Sequence, residues 1–557
     1  MISEATTPAP ASEQPPSVAD ESPVEKPASA IEPTQDPPAQ AKGRRKAVPQ
    51  HVLLAGALKA LKKIQDKHYG VLESKDLSDE HRSLLLDTGF IRPVMKGWFV
   101  CSNPSDKEGD STVWYASFWA FVSGYLSKRF GKRYCLNPEA SLLLHTGNTT
   151  IPKQVTAVTK DGGSTVVSLP FNTSLLIYPD EKRVPKSRAE VRGLQAWPVA
   201  EALCLTGPQF FKNNAREAEI ALAMVRDVSE VVSTLMTTEN QSAAARVAGA
   251  LKFVGREDEA DRIVKALSKP SQTLVPQNPF EMEAPTLTPS RERSPYVLRI
   301  RSMWVGWRQT VIENFPPSPG PVADTAKYLE TVDERYVSDA YNSLSIEGYQ
   351  VTDDLIERVA KGVWDPDENP EHKKDKDALA ARGYYQAFGA VKSTITDILG
   401  GKNAGQAVKS GHHDWFAELF GPAVTAGILQ RHQLAGYRTG PIYIRNSMHT
   451  PVPRDAILDS LDALWEIISD EPEASVRAVL GHHLFVFIHP YFDGNGRIGR
   501  FLMNALFSSG GYPWTVVRVQ RRKDYMDALE EASVRGNIVP LTLFLKDEME
   551  QWTPERQ

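Results

Sequence analysis

His489-Pro490-Tyr491-Phe492-Asp493-Gly494-Asn495-Gly496-Arg497-Ile498-Gly499-Arg500 is the segment around which the rest of this 557-residue chain is arranged. Proline cannot continue a helix, and the residue before it is pushed out of helical geometry. His489 therefore closes a helix. Val476, Leu480, Leu484 and Phe487/Ile488 recur at helical spacing before it, which predicts a helix buried on one side. Asp470 and Glu471-Pro472-Glu473 mark its start, with acids at the positive dipole end. Arg497 begins a second helix, with Ile498, Leu502, Ala505 and Leu506 facing a core and Gly510, Gly511 and Pro513 as the stop. Between the helices, Gly494-Asn495-Gly496 lets consecutive amides line a concave anion nest at a helix N-terminus.

Four side chains add chemistry to that nest. Asp493 offers a hard oxygen for Mg²⁺, which binds through one or two carboxylates plus phosphates. Arg497 and Arg500, three apart on one helix, can fork onto phosphate oxygens. His489 titrates near neutrality and can take a proton from a hydroxyl. Each alone has a bland reading: a core histidine, a surface charge, a loop cap. Together within twelve residues they make a toolkit for transfer at phosphorus. The adjacent His482 and His483 have no matching role and read as helix packing.

The segment resembles the signature of the Fic family at every fixed position, with Tyr491 where Phe is commoner. The resemblance implies a predominantly α-helical C-terminal domain that moves AMP from ATP onto a Ser, Thr or Tyr hydroxyl of a target protein. By motif position His489 would be the base and Asp493 the Mg²⁺ ligand. Gly494, Asn495 and Gly496 would cradle phosphate. Arg497 and Arg500 would bind phosphates, Arg500 reaching the γ-phosphate. Tyr525 resembles the family's aromatic near the nucleotide base. Ser343-Leu344-Ser345-Ile346-Glu347-Gly348 resembles the inhibitory motif of the subclass with its brake in the same chain, N-terminal to the core. Glu347 would then form a bidentate pair with Arg500 and deny it to the γ-phosphate. In some relatives this glutamate also helps water remove AMP, so reverse hydrolysis stays open. Residues 437–453 read as a strand, a turn and a return, like the family's β-hairpin flap that pairs with a target segment. Transfer of phosphocholine, UMP or phosphate, as in a few relatives, is the alternative chemistry.

The remaining chain reads as several units. Residues 1–41 hold nine prolines, seven acids, one lysine and no aromatic. Such a segment cannot offset ordering entropy by burial, so 1–50 is expected to be a disordered tail, ending in the basic knot Lys42, Arg44, Arg45 and Lys46. Residues 51–111 predict helices at Val52–Ile64, Ser74–Leu77 and Asp79–Asp87, then two strands within Phe90–Val100. That pattern resembles the winged-helix module of abortive-infection, type IV antitoxin-like regulators. It implies DNA as a partner, with Lys59, Lys62, Lys63 and Lys67 on phosphates, and hence the competing reading of a toxin–antitoxin type regulator. The fold class expected is thus multidomain: a winged-helix-like α+β unit, a small α/β unit at 112–210, a helical segment at 211–268, a linker at 269–298 and the Fic domain at 299–552. Three scattered cysteines, Cys101, Cys135 and Cys204, exclude a disulfide framework and fit a reducing cytoplasm. No long uncharged apolar run predicts a membrane span. Net charge is −5, so the whole chain is no polyanion binder. The sequence does not fix the oligomeric state, and a homodimer is compatible with it.

Overall fold

The computed structural model describes residues 50–68, 70–104, 109–269, 273–288, 292, 294–362 and 376–552. The chain divides after Val52, and Leu53–Gln557 forms one unit. The acidic tail and the basic knot Lys42, Arg44, Arg45 and Lys46 lie outside the described residues, as does the side chain of Lys67.

The first elements differ in part from the three helices and two strands expected: a strand follows the first helix, and the second helix is a single 3₁₀ turn. α1 (Gln50–His68) leads to β1 (Val71–Glu73), a 3₁₀ turn at Ser74–Asp76 and α2 (Asp79–Asp87). Ser78 caps α2 by accepting the His81 amide hydrogen at 3.2 Å. β2 (Ile91–Met95) and β3 (Trp98–Cys101) then pair antiparallel, and β1 adds on the far side of β3 in the order β1-β3-β2. Ala57, Leu61, Leu72, Leu85, Ile91 and Phe99 make the small core.

α3 (Thr112–Phe130) buries Trp114, Phe118 and Phe121 against a four-stranded sheet. Its strands are β4 (Tyr134–Leu136), β5 (Gln154–Thr159), β6 (Thr165–Leu169) and β7 (Thr173–Pro179), in the order β4-β5-β7-β6, with β5 and β7 parallel. α4 (Pro138–His145) lies between β4 and β5, and β8 (Ala189–Val191) pairs with β9 (Leu194–Ala196). The His145 ring lies 2.8 Å from the Trp197 carbonyl, a structural contact.

The helical segment starts slightly before 211. It comprises α5 (Val199–Leu205), α6 (Pro208–Asn213), α7 (Ala215–Met224), α8 (Val228–Thr238), α9 (Gln241–Phe253) and α10 (Glu257–Leu267). The expected linker 269–298 behaves differently from a free connection where it is described. Leu274 and Phe280 join the core of these helices, and the Gln277 amide donates to Ala245 O at 2.9 Å. Buried apolar anchors hold it down as a strap, and its last residues already belong to the next helix.

The C-terminal region is helical as expected. It holds α11 (Pro295–Asn314), α12 (Thr325–Ile346), α13 (Asp353–Ala360), α14 (Lys376–Leu399), α15 (Ala404–Thr425), α16 (Ile457–Asp470), α17 (Ala474–Ile488), α18 (Asn495–Ser508), α19 (Arg522–Arg535) and α20 (Val539–Glu550). One apolar core runs through them. α17 is buried on nearly every side rather than one, because α11, α16, α18, α19 and α20 all pack on it. Its inward histidines are forced neutral: burial lowers His482 to about 4 and His483 to about 3. Among the described residues, no helix is long and apolar enough to cross a membrane.

Candidate active site

α17 ends at His489, whose backbone takes the left-handed conformation, φ 55° and ψ 61°. For a residue with a Cβ that conformation costs about 1–2 kcal/mol. Pro490 denies it the helical alternative. The His489 Nδ1 lies 3.1 Å from Val486 O. A carbonyl only accepts, so Nδ1 carries the hydrogen and Nε2 keeps its lone pair. Desolvation lowers the imidazole to about 4, which leaves it unprotonated near neutrality.

The loop that follows is clamped by Asn495. Its Oδ1 accepts the Tyr491 amide hydrogen at 2.9 Å, and its Nδ2 donates to Tyr491 O at 2.8 Å. The Asn495 side chain is thus spent on loop shape, and only its backbone amide is left to join a cradle. Gly494 turns the chain with φ 84° into α18. At Gly496 a Cβ would stand 2.4 Å from Glu347 Oε1. The carboxylate of Glu347 therefore lies against the backbone of the glycine nest, where an anion would sit.

Glu347 reaches the nest from the C-cap of α12, and Arg522 Nε closes that helix end on Ile346 O at 2.7 Å. Arg500 Nη2 donates to Glu347 Oε1 at 2.8 Å and to Ser343 O at 3.0 Å, while Nε donates to Ser343 Oγ at 2.9 Å. The pair is thus single-pronged, a correction to the bidentate pairing expected: Ser343 takes Nε and shares Nη2, and Nη1 does not reach the carboxylate within hydrogen-bonding geometry. Burial opposes the Arg500 charge, but the Glu347 carboxylate and its hydrogen bond raise the guanidinium above its ordinary value.

Arg497 is 1% exposed, with its guanidinium between the rings of Tyr349 at 5.2 Å and Phe420 at 5.1 Å. Its Nη2 donates to Asp493 Oδ1 at 3.1 Å. Two guanidinium nitrogens, Arg497 Nε and Arg500 Nη1, are buried without a hydrogen-bond partner among the described residues. Buried donors in that state favour an oxyanion ligand. Asp493 is largely exposed and takes both of its described hydrogen bonds on Oδ1, from Gly494 N and Arg497. Among the described residues no three His, Cys, Asp or Glu side chains converge on a metal position. A lone carboxylate fits Mg²⁺ only if substrate phosphates and water supply the other ligands, as is usual for that ion.

Tyr525 is turned into the core beside Arg500. It is 1% exposed, its hydroxyl lies 2.7 Å from His482 Nε2, and its ring stacks on Phe544. The amphipathic helix α19 turns it into the core. Residues 437–453 form no hairpin: the backbone shows only one isolated bridge, between His449 and Thr150. Pro441, Pro451 and Pro453 cannot donate to a ladder. The flap is instead joined by Arg438, and its outer part is pinned to the N-terminal half. Ile151 N donates to Met448 O at 3.0 Å, Thr450 N to Thr149 O at 2.7 Å, and Arg445 Nε to Asp110 Oδ2 at 3.0 Å. Sequence reasoning missed this docking, Arg438, and the Tyr349–Phe420 clamp. Only the aromatic after Gly348 and the arginine before a Thr-Gly-Pro turn hinted at the last two.

A helix end presenting imidazole, a glycine nest and two arginines thus meet under a carboxylate from another helix. Residues 408–507 match the model of the Fic/DOC family, so the C-terminal region carries a Fic domain. Over 114 residues the chain is 35% identical to the protein adenylyltransferase Fic of Nematostella vectensis, covering 20% of this chain and 26% of that one. Over 112 residues it is 29% identical to protein adenylyltransferase fic-1 of Caenorhabditis elegans, covering 19% of this chain and 22% of that one. The chain thus spans about a quarter of the length of the curated relatives it matches. Among solved structures, Fic-1 (residues 134–508) of C. elegans is similar with a TM-score of 0.34 at 16% identity, over 61% of this chain and 96% of that one.

Proposed function

We propose that this chain is a protein adenylyltransferase held off by its own Glu347. The observation that carries the reading is Glu347 Oε1 at 2.8 Å from Arg500 Nη2, against the backbone of Gly496. A carboxylate occupies the position the nest and guanidinium would give a phosphate. Support for adenylyl transfer comes from the family of the domain and from relatives named protein adenylyltransferase.

In the active form, α- and β-phosphates of ATP lie against the Gly494-Asn495-Gly496 backbone, on the amides of Asn495 and Gly496 while that of Gly494 stays on Asp493, and Arg497 and Arg500 hold the outer phosphates. Asp493 would hold Mg²⁺, which supplies charge neutralisation on the phosphates. His489 Nε2 accepts the proton of a Ser, Thr or Tyr hydroxyl as its oxygen bonds to the α-phosphorus. The α–β phosphoanhydride bond breaks and pyrophosphate leaves with that electron pair. Glu347, while bonded to Arg500, keeps ATP from that pose.

The target approaches from the flap side. Residues 438–443 and 450–454 form one wall of a groove of about 1060 Å³, and Trp98, Trp119 and Lys128 stand on the other. The DNA reading has less support. α2, the helix a winged helix lays in the major groove, carries Asp79, Glu80 and Asp87 against His81 and Arg82.

The test is intact mass of the full-length chain after incubation with ATP and Mg²⁺. The Glu347→Gly variant gains adenylyl groups, the wild type few, and Glu347→Gly/His489→Ala none. Absence of any adenylyl adduct on the Glu347→Gly variant and on proteins of a co-incubated lysate would reject the reading.

A further inference from the structure

Arg438 is 3% exposed, yet among the described residues no carboxylate is a hydrogen-bond partner of it. Its guanidinium spreads over backbone carbonyls instead. Nε donates to His489 O at 2.8 Å, Nη1 to Gly440 O at 3.0 Å, and Nη2 to Val452 O and, at 3.5 Å, Ile488 O. Its own amide donates to Pro490 O at 2.9 Å. One side chain thus touches both arms of the flap and both sides of the peptide that carries the left-handed His489.

Burying a cation against neutral carbonyls is a costly way to close a loop, and an apolar side chain would serve packing alone at least as well. What an apolar residue cannot do is aim carbonyls. The His489 carbonyl points away from the helix ladder because φ and ψ are both positive there, and Arg438 Nε supplies the donor that the helix does not. The planar fork reaches carbonyls in fixed directions, which a lysine ammonium cannot reproduce. Gly440 also lies against the ring of Phe492, an exposed aromatic of the signature loop.

We infer that Arg438 is a positioning residue: it fixes the backbone of the general base and couples that backbone to the flap that faces the target. The inference rests on the transferase reading for its rate consequence, but its structural consequence stands apart from it. Arg438 acts through His489 and touches no reacting atom.

The experiment uses the full-length Glu347→Gly chain, with Arg438→Lys and Arg438→Ala added separately. Self-labelling is followed against ATP concentration. The rate at saturating ATP falls at least about tenfold in both variants while the apparent KM for ATP stays within about twofold. Guanidinium ion, well below denaturing concentration, restores part of the rate to Arg438→Ala and none to His489→Ala. An unchanged saturating rate overturns the inference. So does a loss confined to KM, or a loss that tracks melting temperature and ignores guanidinium. The second readout needs no turnover. In protein labelled at histidine ¹³Cε1, the His489 signal (assigned by its loss in His489→Gln) shifts in Arg438→Lys while the signals of His482 and His483 do not. A His489 signal that stays in place overturns the inference even if the parent chain labels nothing; a parent that labels nothing while the signal shifts sinks the transferase reading alone.

Discussion

Glu347 and Arg500, 153 positions apart in sequence, meet through a single 2.8 Å bond between Oε1 and Nη2, while Ser343 takes Nε and shares Nη2 and Nη1 is left without a partner among the described residues. Because the carboxylate uses one prong only, deleting it leaves Arg500 still anchored by Ser343 and ready for phosphate. Glu347→Gly is therefore expected to bind ATP at least about tenfold more tightly, about 1.4 kcal/mol, and Glu347→Gly/Arg500→Ala to lose that gain. Calorimetric titration with ATP and Mg²⁺ checks both. Equal affinities for wild type and Glu347→Gly would show that the carboxylate does not compete.

In the proposed transfer His489 takes the hydroxyl proton and makes no phosphate contact. His489→Ala in the Glu347→Gly background should lower transfer by about 10²–10⁴-fold with ATP affinity unchanged. Loss of nucleotide binding in parallel would mean that the residue shapes the loop instead.

Gly496→Ala separates the nest from the fold. The added Cβ meets the movable end of Glu347 at 2.4 Å, so the protein is expected to fold with a melting temperature close to wild type. The methyl group then stands where phosphate would approach the backbone, and ATP binding should fall below detection even without Glu347. Retained binding in Glu347→Gly/Gly496→Ala would remove the nest from the account.

Buried histidines make the domain sensitive to acid. Burial holds His482 at about 4 and His449 and His483 at about 3, below the unfolded value of about 6.5. The unfolded chain therefore binds more protons as pH falls below that value. The stability from keeping these rings neutral is full above pH 6.5 and is lost progressively as pH drops towards 4 and then 3. Melting temperature should decline between about pH 7 and pH 5. A flat profile would contradict their neutral burial.

How much was legible follows from distance along the chain. His489, Asp493, Gly494, Gly496, Arg497 and Arg500 fall within one helix–turn–helix, so their juxtaposition was written locally. Glu347 was readable because its own short motif announced it. α2 and the β2–β3 hairpin were equally local, with Ser78 as cap and Gly97 at the turn. The flap was not. Its residues read as a hairpin, and the Thr149–Ile151 segment that pairs with Met448–Thr450 lies some 300 positions away and leaves no trace in the flap's own pattern. Tyr525 shows the same limit: on a helix of mixed polarity, only packing decides whether a tyrosine faces a ligand or, as here, His482 and Phe544. Asn495 was assigned to the cradle by motif position, whereas its side chain is the clamp that shapes the loop.

Under the proposed function, this junction moves AMP once Glu347 is withdrawn. The direct measurement gives the full-length Glu347→Gly chain ATP labelled either at the α- or at the γ-phosphate and counts label retained on protein after denaturation. The α-label should be retained, dependent on His489, and the γ-label should leave with pyrophosphate. Retention of the γ-label, or of neither label on the chain and on lysate proteins alike, would contradict it.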